Sequence, residues 1–316
     1  MNNFRFVMIS AGFEHGGNVT HRHLDGHSEL FVYPFESQLG NKYFCDFLSS
    51  VERVQYRYPE FPEGLKAEEY YELIIDEELK TFLRKRNGSK FKDVNLIMSE
   101  NDRKKYFSEI LNEKNLCRRN VIEAFFKATF MAWKNYYMPY DENKCFVGYS
   151  PAIGIDAERI IRDFQDVKII HIIRNPFSAY RDTKRRPFPQ NINQYMITWN
   201  LYHSTVAMYE KLYPKNVKIF RYEDLVNDKE MFMTDLSSFL NIKFEKTMLY
   251  PSWNGQQIEN NIAPWGTVLK STKDYNENII NELTDEERQH IAYATKALAT
   301  YFGYVEMPFL KGYYAK

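Results

Sequence analysis

Four short segments carry residue types that can do chemistry together. The first is Gly12-Phe13-Glu14-His15-Gly16-Gly17-Asn18-Val19-Thr20. Its glycines allow close approach of a ligand, and successive backbone N–H groups of such a loop can cradle a phosphate or sulfate. Only 13 glycines and seven histidines occur in 316 residues. Yet Gly12, Gly16, Gly17 and Gly26 share one 15-residue window, with His15, His21, His23 and His27 in nearly the same stretch. The loop lacks the Gly-Lys-Ser/Thr ending of a nucleotide-hydrolysing P-loop, which disfavours Mg-nucleotide hydrolysis. An ordinary tight turn is the bland alternative. The second segment, Ile172-Ile173-Arg174-Asn175-Pro176, offers a guanidinium fork for a phosphate, or for a structural salt bridge. The third is Arg221-Tyr222-Glu223-Asp224-Leu225-Val226. The fourth, Tyr33-Pro34-Phe35-Glu36, places a carboxylate shortly after the first helix.

The elements that must position these segments are legible as patterns. Phe4 to Ser10 reads as a buried strand, followed by a glycine-rich turn and a short helix to about Asp25. Strand, loop and helix in that order present N–H groups and a helix N-terminus to an anion. Cys145-Phe146-Val147-Gly148-Tyr149, Val167 to Ile173 and Asn216 to Phe220 are further strands, the second nearly continuous in apolar residues, as a central parallel strand should be. An Arg at the carboxyl end of such a strand projects into the crevice where open α/β sheets bind ligands. Between the last two strands runs a long helix whose stripe Tyr195, Met196, Trp199, Tyr202, Val206, Tyr209, Tyr213 reads as core. Residues from about Asn41 to Met138 are mostly helical, clearest from Val121 to Trp133. A C-terminal helix opens with Thr284-Asp285-Glu286-Glu287 and stops at Gly303. The basic turn Arg84, Lys85, Arg86, Lys90, Lys92 reads as a solvated helix end, with a binding patch as the lesser alternative. These alternating elements predict an α/β fold with a mostly parallel central sheet flanked by helices, in a single domain over residues 1–316 with a large helical insertion at about 41–140.

The 42 Lys+Arg against 42 Asp+Glu argue against a nucleic-acid coat but leave room for one basic pocket. Three cysteines without C-x-x-C spacing suit a reducing compartment. No stretch approaches the ~18 uninterrupted apolar residues of a membrane span. The expectation is a soluble cytoplasmic protein.

Together the segments resemble the PAPS-dependent sulfotransferases, enzymes that transfer a sulfuryl group from 3′-phosphoadenylyl sulfate. The resemblance runs through Leu24-Asp25-Gly26-His27, Glu36, Tyr149-Ser150-Pro151, Arg174-Asn175-Pro176 and Arg221 to Leu225, spanning about 4–39 and 146–239. It is only loose around Asn254-Gly255 and Trp265-Gly266. It implies a P-loop-like fold and a donor loop formed by Gly12, His15, Gly16, Gly17, Asn18 and Val19. It further implies that Arg174 binds the 3′-phosphate, that Tyr222 packs near the adenine, and that Glu36 is the general base toward a hydroxyl acceptor. Adenosine 3′,5′-bisphosphate would be the product, with no metal. The acceptor would be a sugar, a lipid head group, a polyketide or another small molecule.

The departures from the family pattern are specific. Counting back from Leu24-Asp25, Glu14-His15-Gly16-Gly17-Asn18 stands where the family has Arg-Ser-Gly-Thr-Thr, so the expected cation is an acid. His15, His21 or Arg22 is expected to supply the missing charge, His15 when protonated. Asp182 stands eight residues after Arg174, where the family has a Ser, so Ser178 or Thr183 is expected to supply the hydroxyl there. Tyr149 replaces a Lys. Arg181, Lys184, Arg185 and Arg186 form either a mobile lid or a solvated helix end. Two rival readings stand beside the enzyme: a degenerate sulfotransferase fold that binds a ligand or partner without turnover, and a metal site on His23 and His27, spaced i, i+4 on a helix.

Overall fold

A computed structural model describes residues 4–43, 46–50, 52–187, 189–259 and 266–315. Trp265 of the loosely similar stretch lies outside the described residues. Five strands, β1 (Arg5–Ala11), β2 (Leu30–Val32), β3 (Cys145–Tyr149), β4 (Lys168–Ile173) and β5 (Val217–Arg221), form one sheet in the order β2-β3-β1-β4-β5. Every pairing is parallel, with Ile9 opposite Tyr149 and Ile170, and Ile173 opposite Arg221. The carboxyl ends of β1, β3, β4 and β5 therefore lie along one edge.

Strand periodicity explains how the sheet is covered. Phe6 and Met8 of β1 face one side, and Val7, Ile9 and Ala11 the other, because successive side chains alternate across a pleated strand. After β1 come α1 (Gly17–Leu24), then, between β2 and β3, α2 (Ala67–Leu73), α3 (Glu77–Arg84), α4 (Glu100–Asn112) and α5 (Arg118–Ala132). The first face of the sheet packs on Phe125, Phe126 and Phe130 of α5. Each such buried ring contributes roughly 1.5–3 kcal/mol of apolar transfer. Beyond β3 lie α6 (Ala157–Asp163), α7 (Pro176–Lys184) and α8 (Ile192–Leu212), then α9 (Tyr222–Asn227) and α10 (Lys229–Leu240) after β5. The second face packs on Val19 and Leu24 of α1 and on Phe232, Met233 and Leu236 of α10. The chain ends with α11 (Gly266–Leu269), α12 (Lys273–Asn278), α13 (Asp285–Tyr301) and α14 (Pro308–Tyr314). The aromatic stripe of α8 is core: Tyr195, Trp199, Tyr202 and Val206 are all buried.

The connection after β1 leads to one side of the sheet and the connection after β4 to the other. A switch of that kind opens a crevice at the carboxyl edge between the two strands. The short β2 is not evident in the sequence pattern, being only three residues long. Its exit is fixed by a buried cluster. The Tyr33 hydroxyl donates to both Asp76 oxygens at 2.9 Å, and Arg103 donates to Asp76 (2.7 Å), to Tyr33 (2.9 Å) and to Thr129 (3.0 Å). This ties the chain just before Glu36 to the start of α3, just before Glu78.

Candidate active site

A cleft of about 510 Å³ opens at the switch point. It is lined by Glu14, His15, Gly16, Gly17, Asn18 and Val19 from the β1–α1 loop, by Glu36, by Arg174 and Asp182, and by Tyr149 and Tyr222. A hollow of about 580 Å³ beside α13 and α14 contains none of the candidate residues. The smaller cleft is the one in which chemistry converges.

The loop is built around its own side chains. Gly16 has φ +91°, and a Cβ there would lie 2.4 Å from the Tyr222 ring; a Cβ on Gly17 would lie 2.5 Å from the Tyr149 ring. Both positions demand glycine before any ligand arrives. The amides of Gly17, Asn18 and Val19, in the first turn of α1, have no partner within the helix, and these residues line the cleft at the positive end of the helix dipole. Gly12 departs from expectation. It does not line the cleft, and its Cα face is closed by the His15 ring.

The histidines do not supply the missing charge. Burial pushes His15 down to about 3, and it is neutral. Its Nδ1–H donates to the Phe13 carbonyl at 2.7 Å, which leaves Nε2 bare, 3.2 Å from His203 Nε2. His203 therefore donates there, and its bare Nδ1 accepts from His171 Nε2–H at 2.8 Å. His171 Nδ1 in turn accepts from the Ser10 hydroxyl at 3.0 Å, whose oxygen accepts the Gly154 N–H at 2.8 Å. Anchored by a carbonyl at one end and an amide at the other, the chain fixes every tautomer and leaves every ring uncharged. His21 is held well below its usual range by burial and by Arg22, which donates to its Nδ1 at 2.9 Å. Arg22 is itself buried against the Tyr33 carbonyl and the Trp253 ring, away from the cleft. His23 and His27 donate to the carbonyls of Met248 and Lys243, both at 2.8 Å. Among the described residues no group of three or more His, Cys, Asp or Glu side chains could hold a metal.

The cations around the cleft are instead Arg174, Lys90, Arg185, Arg186 and Lys270. Lys90 and Lys270 come from chain segments far from the loop. Lys90 sits in the turn that reads as a solvated helix end; its pairing with Glu78 draws it to the cleft. Glu14 lies 3.6 Å from Arg186, so the acid in the loop has a counter-ion. Glu36 lines the cleft beside these groups. Its backbone N–H donates to Glu78 at 3.0 Å, and Gln38 donates to its carboxyl at 3.3 Å. Burial, reinforced by the Glu78 carboxylate and opposed by Lys90, pushes the Glu36 carboxyl up to about 8.

At the other end, Asn175 caps α7 by accepting the Ser178 N–H, and Pro176 opens the helix, so β4 stops at the point where Arg174 faces the cleft. Arg174 stacks over the Tyr222 ring at 4.8 Å. The expected hydroxyls are not available. Ser178 Oγ donates to the Asn276 carbonyl (2.6 Å), Thr183 Oγ1 donates to the Ala179 carbonyl (2.9 Å), and neither lines the cleft. Asp182 does line it, and so does Tyr275, for which no sequence pattern exists.

Fold and cleft together define a parallel α/β protein with an anion-suited loop, an arginine and a carboxyl lining one switch-point crevice. The chain belongs to the sulfotransferase family, whose model matches residues 51–246. That span includes Arg174, Asp182 and Tyr222 and begins after the glycine-rich loop and Glu36. No curated protein matches the chain in sequence. Solved structures share its fold, two of them over nearly the whole chain. The sulfotransferase domain of the curacin biosynthetic pathway has 17% identity, a TM-score of 0.56 and coverage of 94% of this chain and 98% of that one. The sulfotransferase domain of the olefin synthase from Synechococcus PCC 7002 has 15% identity, a TM-score of 0.55 and coverage of 94% and 95%. No helix among the described residues is long and apolar enough to cross a membrane.

Proposed function

We propose that the chain is a sulfotransferase that moves a sulfuryl group from 3′-phosphoadenylyl sulfate to the hydroxyl of a carbohydrate or other small-molecule acceptor, releasing adenosine 3′,5′-bisphosphate. We place it in the cytoplasm as a single domain over residues 1–316 with its helical insertion at about 41–140, working without a metal, a membrane span or nucleic acid. One observation carries the reading: the loop amides at the start of α1, Arg174 and Glu36 meet in a single cleft in a chain of this family. The free amides and the Arg174 Nη2 group, buried and without a hydrogen-bond partner, suit an anionic donor.

Glu36 takes the proton of the acceptor hydroxyl as its oxygen bonds to sulfur and the bond from sulfur to the donor's phosphate oxygen breaks. The amides of Gly16, Gly17 and Asn18 and the dipole of α1 receive the charge that develops on that leaving oxygen. Most of the catalysis is then positioning and charge neutralisation, with the base supplying about 10²–10⁴-fold. Tyr222 and Arg174 hold the nucleotide end.

The test is a transfer assay with radiolabelled donor across sugar, phenol, polyketide and lipid-head-group acceptors, run beside calorimetric nucleotide binding. A labelled acceptor supports the reading. Nucleotide binding with no transfer to any acceptor would favour the degenerate fold, a reading that Glu14 in the loop and the Asp182–Arg174 ion pair make specific.

A further inference from the structure

Arg174 and Arg181 point toward one place, and a carboxylate already lies there. Arg174 Nη1 donates to Asp182 Oδ2 at 2.8 Å, Arg181 Nη1 to Asp182 Oδ1 at 2.9 Å, and the Tyr275 hydroxyl to Oδ1 at 2.8 Å. Arg181 is the chain neighbour of Asp182 on α7, whereas Arg174 comes from the end of β4 and Tyr275 from α12, so the fold brings two of the three donors to this carboxylate. Two arginines and a hydroxyl around one pair of oxygens form a seat for a tetrahedral or planar anion. The seat is rigid. Arg174 is 4% exposed, donates its Nε to Asn276 at 2.7 Å and stacks on Tyr222, and Arg181 is held from its other side by Glu282. What Arg174 has left is Nη2, buried and unpartnered.

In the resemblance to sulfotransferases, the residue eight positions after this arginine is a small hydroxyl that helps to hold the donor's 3′-phosphate. Here the position carries a negative charge that already engages both guanidinium groups. A 3′-phosphate brought to Arg174 would meet Asp182 within reach of the same guanidinium and be repelled by it, so the gain from the arginines would be largely cancelled. The 5′ side of the donor keeps the amides of Gly16, Gly17 and Asn18 and the Lys90 ammonium, none of which the Asp182 carboxylate engages.

We propose that the Asp182 carboxylate fills the seat of the nucleotide 3′-phosphate, so that this chain accepts an adenosine 5′-phosphosulfate donor without requiring a phosphate on its 3′ oxygen. The proposal rests on the reading of the cleft as a donor site and makes Asp182 the residue that sets donor specificity.

Calorimetric titration of the full chain with adenosine 5′-phosphate and with adenosine 3′,5′-bisphosphate tests it, since the two differ only in the 3′ group. The native chain binds both within about threefold of one another. Asp182→Ser and Asp182→Asn each tighten the bisphosphate by about tenfold or more and leave the 5′-phosphate within about twofold. The two variants guard against a local packing effect, because Asn keeps the size of Asp while removing its charge and one of its two acceptor oxygens. A native chain that prefers the bisphosphate by about tenfold or more, or variants with no gain for it, would overturn the proposal. Binding of neither nucleotide at millimolar concentration would overturn the donor-site reading itself, and the proposal with it.

Discussion

The Nε2 atoms of His15 and His203 lie 3.2 Å apart, and the proton between them belongs to His203. This contact joins the ligand-facing loop to the interior of α8, and through His171 to β1 and β4. Removing the middle ring strands an acceptor on His15 and a donor on His171, each worth roughly 1–3 kcal/mol when buried unpaired. We expect His203→Leu to lower stability by about 2–6 kcal/mol in urea titration at pH 7.5 and to weaken nucleotide binding through a looser loop.

The same chain dictates an acid sensitivity. His15 and His171 are held at about 3 and His203 well below its usual range, all by burial. A free histidine titrates near ~6.5. Because the folded values are depressed, the unfolded state binds more protons below that pH. The stabilisation is complete above about pH 6.5 and is lost as pH falls toward the folded values, by about 1.4 kcal/mol per pH unit for each ring. Urea midpoints measured from pH 7.5 to 4.5 should fall steeply in the native chain and less steeply in His203→Leu.

Catalysis should show the opposite end of the pH scale. Glu36 must be ionised to accept a proton, yet burial and Glu78 push it up to about 8. We expect kcat/KM to rise through about pH 8. Lys90, which opposes that shift, is the lever: Lys90→Met should move the rise to higher pH and Lys90→Arg should leave it in place. A profile flat from pH 6 to 9 would separate Glu36 from the rate.

Gly16 offers a steric test. Alanine there meets both a φ of +91° and the Tyr222 ring. We expect Gly16→Ala to cost about 1–2 kcal/mol in backbone strain alone and to weaken nucleotide binding, read by urea titration and calorimetry. Gly64, also at positive φ but with nothing within 4 Å of where a Cβ would stand, should accept alanine at the strain cost only.

What could be read from the sequence was local, and what could not was assembled across distance. The loop, the four longer strands and the placement of Arg174 follow from contiguous patterns: an apolar run, a glycine cluster, an arginine before a capping Asn-Pro. The role expected of His15, His21 and Arg22 does not survive. Charge is legible in a sequence but burial is not, and these three side chains are buried, where a neutral ring or an internal hydrogen bond is the stable outcome. Lys270 and Tyr275 reach the cleft from segments whose composition gives no sign of it, and Lys90 from a basic turn that reads first as a solvated helix end and only second as a binding patch. β2 is too short for any periodicity to announce it, and it is the strand that delivers Glu36. Asp182 was visible as an oddity in the sequence, but its meaning required Arg181 and Tyr275 to be seen around it.

Proton removal by Glu36 is isolated by single-turnover transfer of label from 3′-phosphoadenylyl sulfate to an acceptor found in the screen, comparing the native chain with Glu36→Gln at pH 8. The account predicts that the variant binds adenosine 3′,5′-bisphosphate as the native chain does while its transfer rate falls by about 10²–10⁴-fold. Equal rates for the two chains would contradict it.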